Sequence, residues 1–181
     1  MVFHLPQAQA QLARTPALLR AWFCGLPEPW LRLNEGPETF SARDILAHLI
    51  HGERTDWMVR LRLLLEHGEG CPFESFERQG FLAEAKGWTV EALLDEFEAL
   101  RASNLQELAS LGLTEADLHR CGTHPVFGRV TLRELLAAWV VHDLDHLAQA
   151  ARVMARGYTS DVGPWINFMP ILTMWKAQPV D

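Results

Sequence analysis

The chain of 181 residues has only three cysteines, Cys24, Cys71 and Cys121. An odd, scattered set with no C-x-x-C spacing excludes a disulfide framework and a dithiol motif. It reads as inert, reduced packing thiols of a cytoplasmic protein. Long apolar runs are missing too. No stretch approaches the ~20 apolar residues that span a bilayer, and residues 1–10 lack the cationic start and apolar run of a secretory leader. Positive charge is in deficit. Lys plus Arg number 16 against 23 for Asp plus Glu, for a net charge of −7. With no basic stripe to offset it, nucleic acid and anionic membranes are excluded as partners, which leaves a small-molecule substrate. Nothing alternates with period two, repeats internally or falls to low complexity, so neither a substantial sheet nor a solenoid is expected.

What is present is a globular composition, 49% hydrophobic and 22% charged, with helical periodicity throughout. One domain spanning residues 1–181 is expected, large enough to bury a core without staples. A first helical region covers residues 7–24. Thr15-Pro16 resembles an N-cap with a first-turn proline, so a kink or restart is expected there. Ser41-Ala42-Arg43-Asp44 is a capping box that opens a second helix running to about residue 67, before Gly68 and Gly70. Residues 71–87 are mixed, with a short helix over 73–84. Thr89 caps a third helix whose apolar stripe runs from Val90 to Leu111. Thr114-Glu115-Ala116-Asp117 predicts one extra turn. A full capping box, Thr131-Leu132-Arg133-Glu134, starts the fourth helix, which runs to about residue 156. Four long helices make an all-α four-helix bundle, with segments 68–88 and 113–130 long enough for crossovers. The tail, residues 158–181, holds Trp165, Phe168, Met169, Ile171, Leu172 and Trp175. It is too apolar to float free and should pack on the bundle or on a second subunit. Together with seven tryptophans, it predicts a homodimer.

Chemistry concentrates in His142-Asp143-Leu144-Asp145-His146. Two imidazoles four residues apart share one helix face, and both can reach one ion. Leu135, Trp139, His142, His146, Ala150 and Val153 fall on one line, so both histidines are read as pointing into the apolar stripe. A buried imidazole needs partners for both ring nitrogens, and two neighbours disfavour each other's protonation. A divalent ion meets both demands. The alternative is that each ring bonds a core carbonyl or hydroxyl. A third ligand should come from the second helix, as His48 or His51. His48 shares its face with Ile45, Gly52 and Asp56, and Gly52 leaves space beside it. The pattern differs from the H-E-x-x-H of zinc proteases, because Asp143 stands where the glutamate would be. An aspartate is shorter by one methylene, which argues against a protease. Glu53 is a candidate general base or supporting partner. Asp143 and Asp145 are candidates to orient the imidazoles. Asn104, polar on the third helix's apolar stripe, reads as a satisfied core amide.

Three stretches resemble the DinB/YfiT-like family of metalloenzymes. They are Phe40-Ser41-Ala42-Arg43-Asp44-Ile45-Leu46-Ala47-His48-Leu49, followed by Glu53; His124-Pro125-Val126-Phe127-Gly128-Arg129-Val130-Thr131-Leu132; and Trp139-Val140-Val141-His142-Asp143-Leu144-Asp145-His146-Leu147-Ala148-Gln149. Val162-Gly163-Pro164-Trp165 adds to the likeness, which runs over about residues 12–172. The resemblance implies a four-helix bundle holding one divalent metal on His48, His142 and His146, and so selects His48 over His51; zinc or nickel suits such a tris-imidazole site. Phe40 departs from the family, where tryptophan is common. Family functions are diverse. The resemblance implies a thiol-dependent S-transferase using a low-molecular-weight thiol. The alternatives are a metal-dependent hydrolase or a non-catalytic metal-binding module.

Overall fold

The computed structural model describes residues 2–173. In chain order its helices are α1 (Leu5–Leu12), α2 (Thr15–Phe23), α3 (Glu28–Leu31), α4 (Ala42–Thr55), α5 (Trp57–His67), α6 (Leu82–Ala85), α7 (Val90–Ser110), α8 (Glu115–Leu118), α9 (Leu132–Arg156) and α10 (Pro170–Thr173). Two strands, β1 (Cys121–His124) and β2 (Gly128–Thr131), form an antiparallel hairpin that pairs Cys121 with Thr131 and His124 with Gly128.

Four helical rods build the bundle: α1 with α2, α4 with α5, α7, and α9. The main contacts join α4 to α7, α2 to α7, α1 to α9, and α4 and α5 to α9. The first and second rods therefore each lie between the third and fourth. Rods consecutive in sequence at the start and end of the chain sit diagonally, as the long connections allow. The sequence-predicted boxes form. Ser41 Oγ accepts from the Asp44 amide while the Asp44 carboxylate accepts from the Ser41 amide, and Thr131 with Glu134 does the same at α9. Each satisfies donors that a helix start leaves open.

Two apolar layers fill the bundle. One gathers Leu19, Phe23, Ile45, Leu49, Leu93 and Phe97; the other gathers Leu12, Met58, Leu61, Leu108, Leu136 and Trp139. Each such side chain contributes about 1.5–3 kcal/mol on leaving water. Between the layers lies a buried polar stratum. The Arg101 guanidinium, 1% exposed, meets Asp143 at 2.5 Å and Glu53 at 2.7 Å. Both broken rods break at this level. α1 ends at Leu12, whose carbonyl accepts from Arg101 Nη1 at 2.7 Å.

Four readings of the sequence change here. Thr15 does not cap α2; its hydroxyl donates to Asp143 Oδ2 at 2.6 Å, and Arg14 holds the cap position. The second helix is interrupted at Asp56 rather than continuous to residue 67. The short helix expected over 73–84 shrinks to the single turn of α6, because the Phe73 amide instead donates to the Thr123 carbonyl beside the hairpin. The 113–130 connection contains that hairpin, whose four-residue strands are too short for a period-two pattern to register. Gly128, with φ 71°, supplies the left-handed residue at its turn. In the tail, α10 packs against α9 while Trp165 and Phe168 stay exposed. Trp175 lies outside the described residues. No described helix is long and apolar enough to cross a membrane.

Candidate metal centre

α4 carries His48, and α9 carries His142 and His146 one turn apart. The bundle brings the three together. His142 Nε2 lies 3.0 Å from His48 Nε2 and 3.2 Å from His146 Nε2. All three ligand atoms fall within 4.8 Å of one another. Tetrahedral ligands at about 2.0–2.1 Å from a shared zinc would stand about 3.3 Å apart.

The other ring nitrogens decide what these contacts are. His48 Nδ1 lies 3.0 Å from the Arg78 carbonyl, an atom that can only accept. His146 Nδ1 lies 2.9 Å from Gln149 Oε1, also an acceptor. Both rings therefore carry their proton on Nδ1 and turn a bare Nε2 lone pair toward His142. His142 Nδ1 is buried and has no partner. With its proton on Nδ1, His142 adds a third lone pair to the centre and buries an N–H without an acceptor; with its proton on Nε2, it can donate to only one of its two neighbours and buries a bare Nδ1. A cation removes that conflict, so the donor set fits a metal ion.

Electrostatics favour neutral ligands. Burial, then the charge of His146, lowers the His48 pKa to about 3. Burial, then the charges of His146 and His48, holds His142 well below its ordinary value. Burial also lowers His146, against the pull of Gln149. Protons are thus kept off the nitrogens a metal would need.

The cluster opens into a cavity of about 480 Å³ that is also lined by Phe40, Trp57, Phe76, Asp56, Arg78 and Phe127. Phe40 packs against two of the ligand rings, at 5.1 Å from His48 and 6.3 Å from His146. Trp57 meets His142 edge-on at 5.1 Å. Gly52 makes room for that indole: a Cβ there would lie 3.1 Å from Trp57 Nε1.

Other sequence candidates fall elsewhere. His51 packs against Phe76, the rings tilted and 5.1 Å apart, and stays out of the cluster. Glu53 is not on the cavity wall. Its Oε1 accepts from Arg101 at 2.7 Å and Trp139 Nε1 at 3.1 Å, and its Oε2 accepts from Asn104 at 2.9 Å. Asp143 does not orient an imidazole. It turns to Arg101 and Thr15 and does not line the cavity. The orienting acceptor is Gln149, which closes the family-like stretch on α9. Asp56 is the buried carboxylate that does line the cavity. It pairs with Arg60 at 2.6 Å, and burial, against the pull of Arg60, raises its pKa to about 6. Its place on the His48 face was legible in the spacing, but its role was not. Arg78 had no signal at all, since it lies on an irregular segment.

A search of curated proteins returns no match. Among solved structures, YfiT from Bacillus subtilis, described as a probable metal-dependent hydrolase with an unusual four-helix bundle topology, superposes with TM-score 0.73. The identity is 19%, over 87% of this chain and 90% of that one, so the likeness is one of fold. The family model of the DinB superfamily matches residues 11–150. With that match over most of its length, a helical bundle and a three-histidine cluster at its open cavity, the chain belongs to the DinB superfamily.

Proposed function

We propose that this protein is a divalent-metal-dependent enzyme that moves a low-molecular-weight thiol onto a small electrophile. His48, His142 and His146 hold the ion, zinc or nickel, which suits imidazole donors. The observation that carries this reading is the set of three convergent Nε2 atoms, two with their tautomers pinned by Arg78 and Gln149. When bound, the ion supplies Lewis acidity, which lowers the pKa of a thiol or a water. Among the described residues the cluster has three members, which favours an open position over a closed structural site.

The chain's own groups do the rest. Asp56, with its pKa raised to about 6, accepts the thiol proton on its carboxylate. It returns that proton to the leaving group as the sulfur–carbon bond forms and the old bond to carbon breaks. Trp57, Phe40 and Phe76 exclude water from the space beside the ligands. Glu53, first considered as the base, acts here as a positioning group, with Arg101 and Asn104 holding α4 and α7 together.

A second reading is hydrolysis, with water in place of the thiol. The description of YfiT favours it. Metal-loaded and chelated protein, offered an aryl halide with and without several small thiols, separates the two. Thiol-dependent halide release that disappears in Asp56→Asn, with metal content unchanged, supports transfer. Ester or amide cleavage without thiol supports hydrolysis, and turnover equal in loaded and chelated protein sinks both.

A further inference from the structure

Three arginines reach the cavity, and two of them are matched. Arg60 pairs with Asp56 at 2.6 Å and Arg152 with Glu35 at 2.8 Å. Arg78 lines the same space, and among the described residues no carboxylate lies within ion-pair distance of it. Its backbone is tied to the centre, because its carbonyl accepts from His48 Nδ1 at 3.0 Å. Arg78 is thus an exposed cationic residue on the wall of the cavity into which the ligand cluster opens.

A guanidinium and a dication that face one small cavity repel each other unless an anion lies between them. The two matched pairs cancel, which leaves Arg78 and the ion against the single carboxylate of Asp145. Phe40, Trp57, Phe76 and Phe127 make much of the remaining wall aromatic, with Ser75, His124 and Gln149 as its polar members. One end of the space thus favours negative charge and the rest favours an apolar body. An arginine fork matches a planar oxyanion through two parallel hydrogen bonds.

We propose that Arg78 recognises the carboxylate of a small, largely apolar organic acid bound in the tris-histidine cavity. The substrate or thiol co-substrate of this site is then an anion. This rests on the metal reading above and adds to it the chemical class of the ligand.

Benzoate and benzamide have the same shape and differ in charge, so they serve as probes. Protein loaded with cobalt(II) is titrated with each, by calorimetry and by the visible absorption of the cobalt. Benzoate should bind about tenfold more tightly than benzamide, the size of one charge-assisted contact. Arg78→Gln should abolish that preference at unchanged cobalt content, and Arg78→Lys should keep part of it. Equal binding of the two probes by the wild type overturns the proposal, as does a preference that survives in Arg78→Gln. Cobalt content is measured on the same samples. Failure to take up cobalt therefore counts against the metal site, while full uptake without a benzoate preference counts against Arg78.

Discussion

His48 Nε2 stands 3.0 Å from His142 Nε2, although 94 positions separate them in the chain. With Nδ1 of His48 committed to the Arg78 carbonyl, His142 must either give a single Nε2 proton to one of two competing lone pairs or share a cation with both, and only the cation satisfies all three rings. Purified protein should therefore carry about one equivalent of divalent metal. His48→Ala and His146→Ala should each fall below about a tenth of an equivalent while keeping helical circular dichroism. Elemental analysis decides this. Full metal content in either variant removes that histidine from the site.

Gln149 should matter more than its distance from the cluster's centre implies. It accepts from His146 Nδ1 at 2.9 Å and so presents Nε2 as the free lone pair. Gln149→Leu keeps the bulk and removes the acceptor. Metal affinity, measured against a competing chelator, should drop about 10–100-fold. Unchanged affinity would mean the tautomer is set by something else.

The charged stratum makes Arg101 the residue most costly to change. Burial alone would push its guanidinium pKa down, but the charges of Asp143 and Glu53 outweigh that and raise it. Arg101→Met leaves two carboxylates buried without a counter-charge. The expected loss is about 3–5 kcal/mol in urea unfolding. Removing the whole set, with Glu53→Gln and Asp143→Asn added, should recover part of that loss. A single mutant within about 1 kcal/mol of wild type would show that the stratum is hydrated.

Stability of the metal-free protein should fall in acid. The His48 pKa is about 3 in the folded chain against an ordinary 6.5, chiefly through burial. Between those values the unfolded chain holds the proton and the folded chain does not. Each pH unit of descent in that window therefore costs about 1.4 kcal/mol for this residue. Asp56 has the opposite sign. With its pKa raised from 3.8 to about 6, its contribution is complete below 3.8 and is lost as pH rises through 6. It offsets part of the histidine effect in that range. Urea midpoints of chelated protein should decline below neutrality, and Asp56→Asn should steepen the decline. A flat profile contradicts neutral, buried imidazoles.

Much of this molecule is written locally. Capping boxes at Ser41 and Thr131, the stops at Gly68 and Gly157, and the 3.6-residue apolar stripes depend on neighbours within a turn or two, so the pattern alone placed α4, α7 and α9. The i, i+4 spacing of His142 and His146 is likewise a property of one helix. Asp143 was read less well, because it lies between the two ligands in sequence yet turns its carboxylate to Arg101 and Thr15, off the cavity wall. A helical wheel shows that angle, but not which side holds the cavity. Glu53 was the acid legible in the sequence, until α7 supplied Arg101 and Asn104 to bind it and Asp56, on the same rod, was left lining the cavity.

The sequence by itself determined which segments coil and which residue types could hold a cation, since both follow from short-range hydrogen bonding and side-chain chemistry. Tertiary packing alone decided the diagonal order of the rods, the partner of each carboxylate and the station of Arg78 beside the imidazoles. Those depend on contacts between distant segments, whose relative rotation is set by how whole apolar faces interlock and not by any local rule.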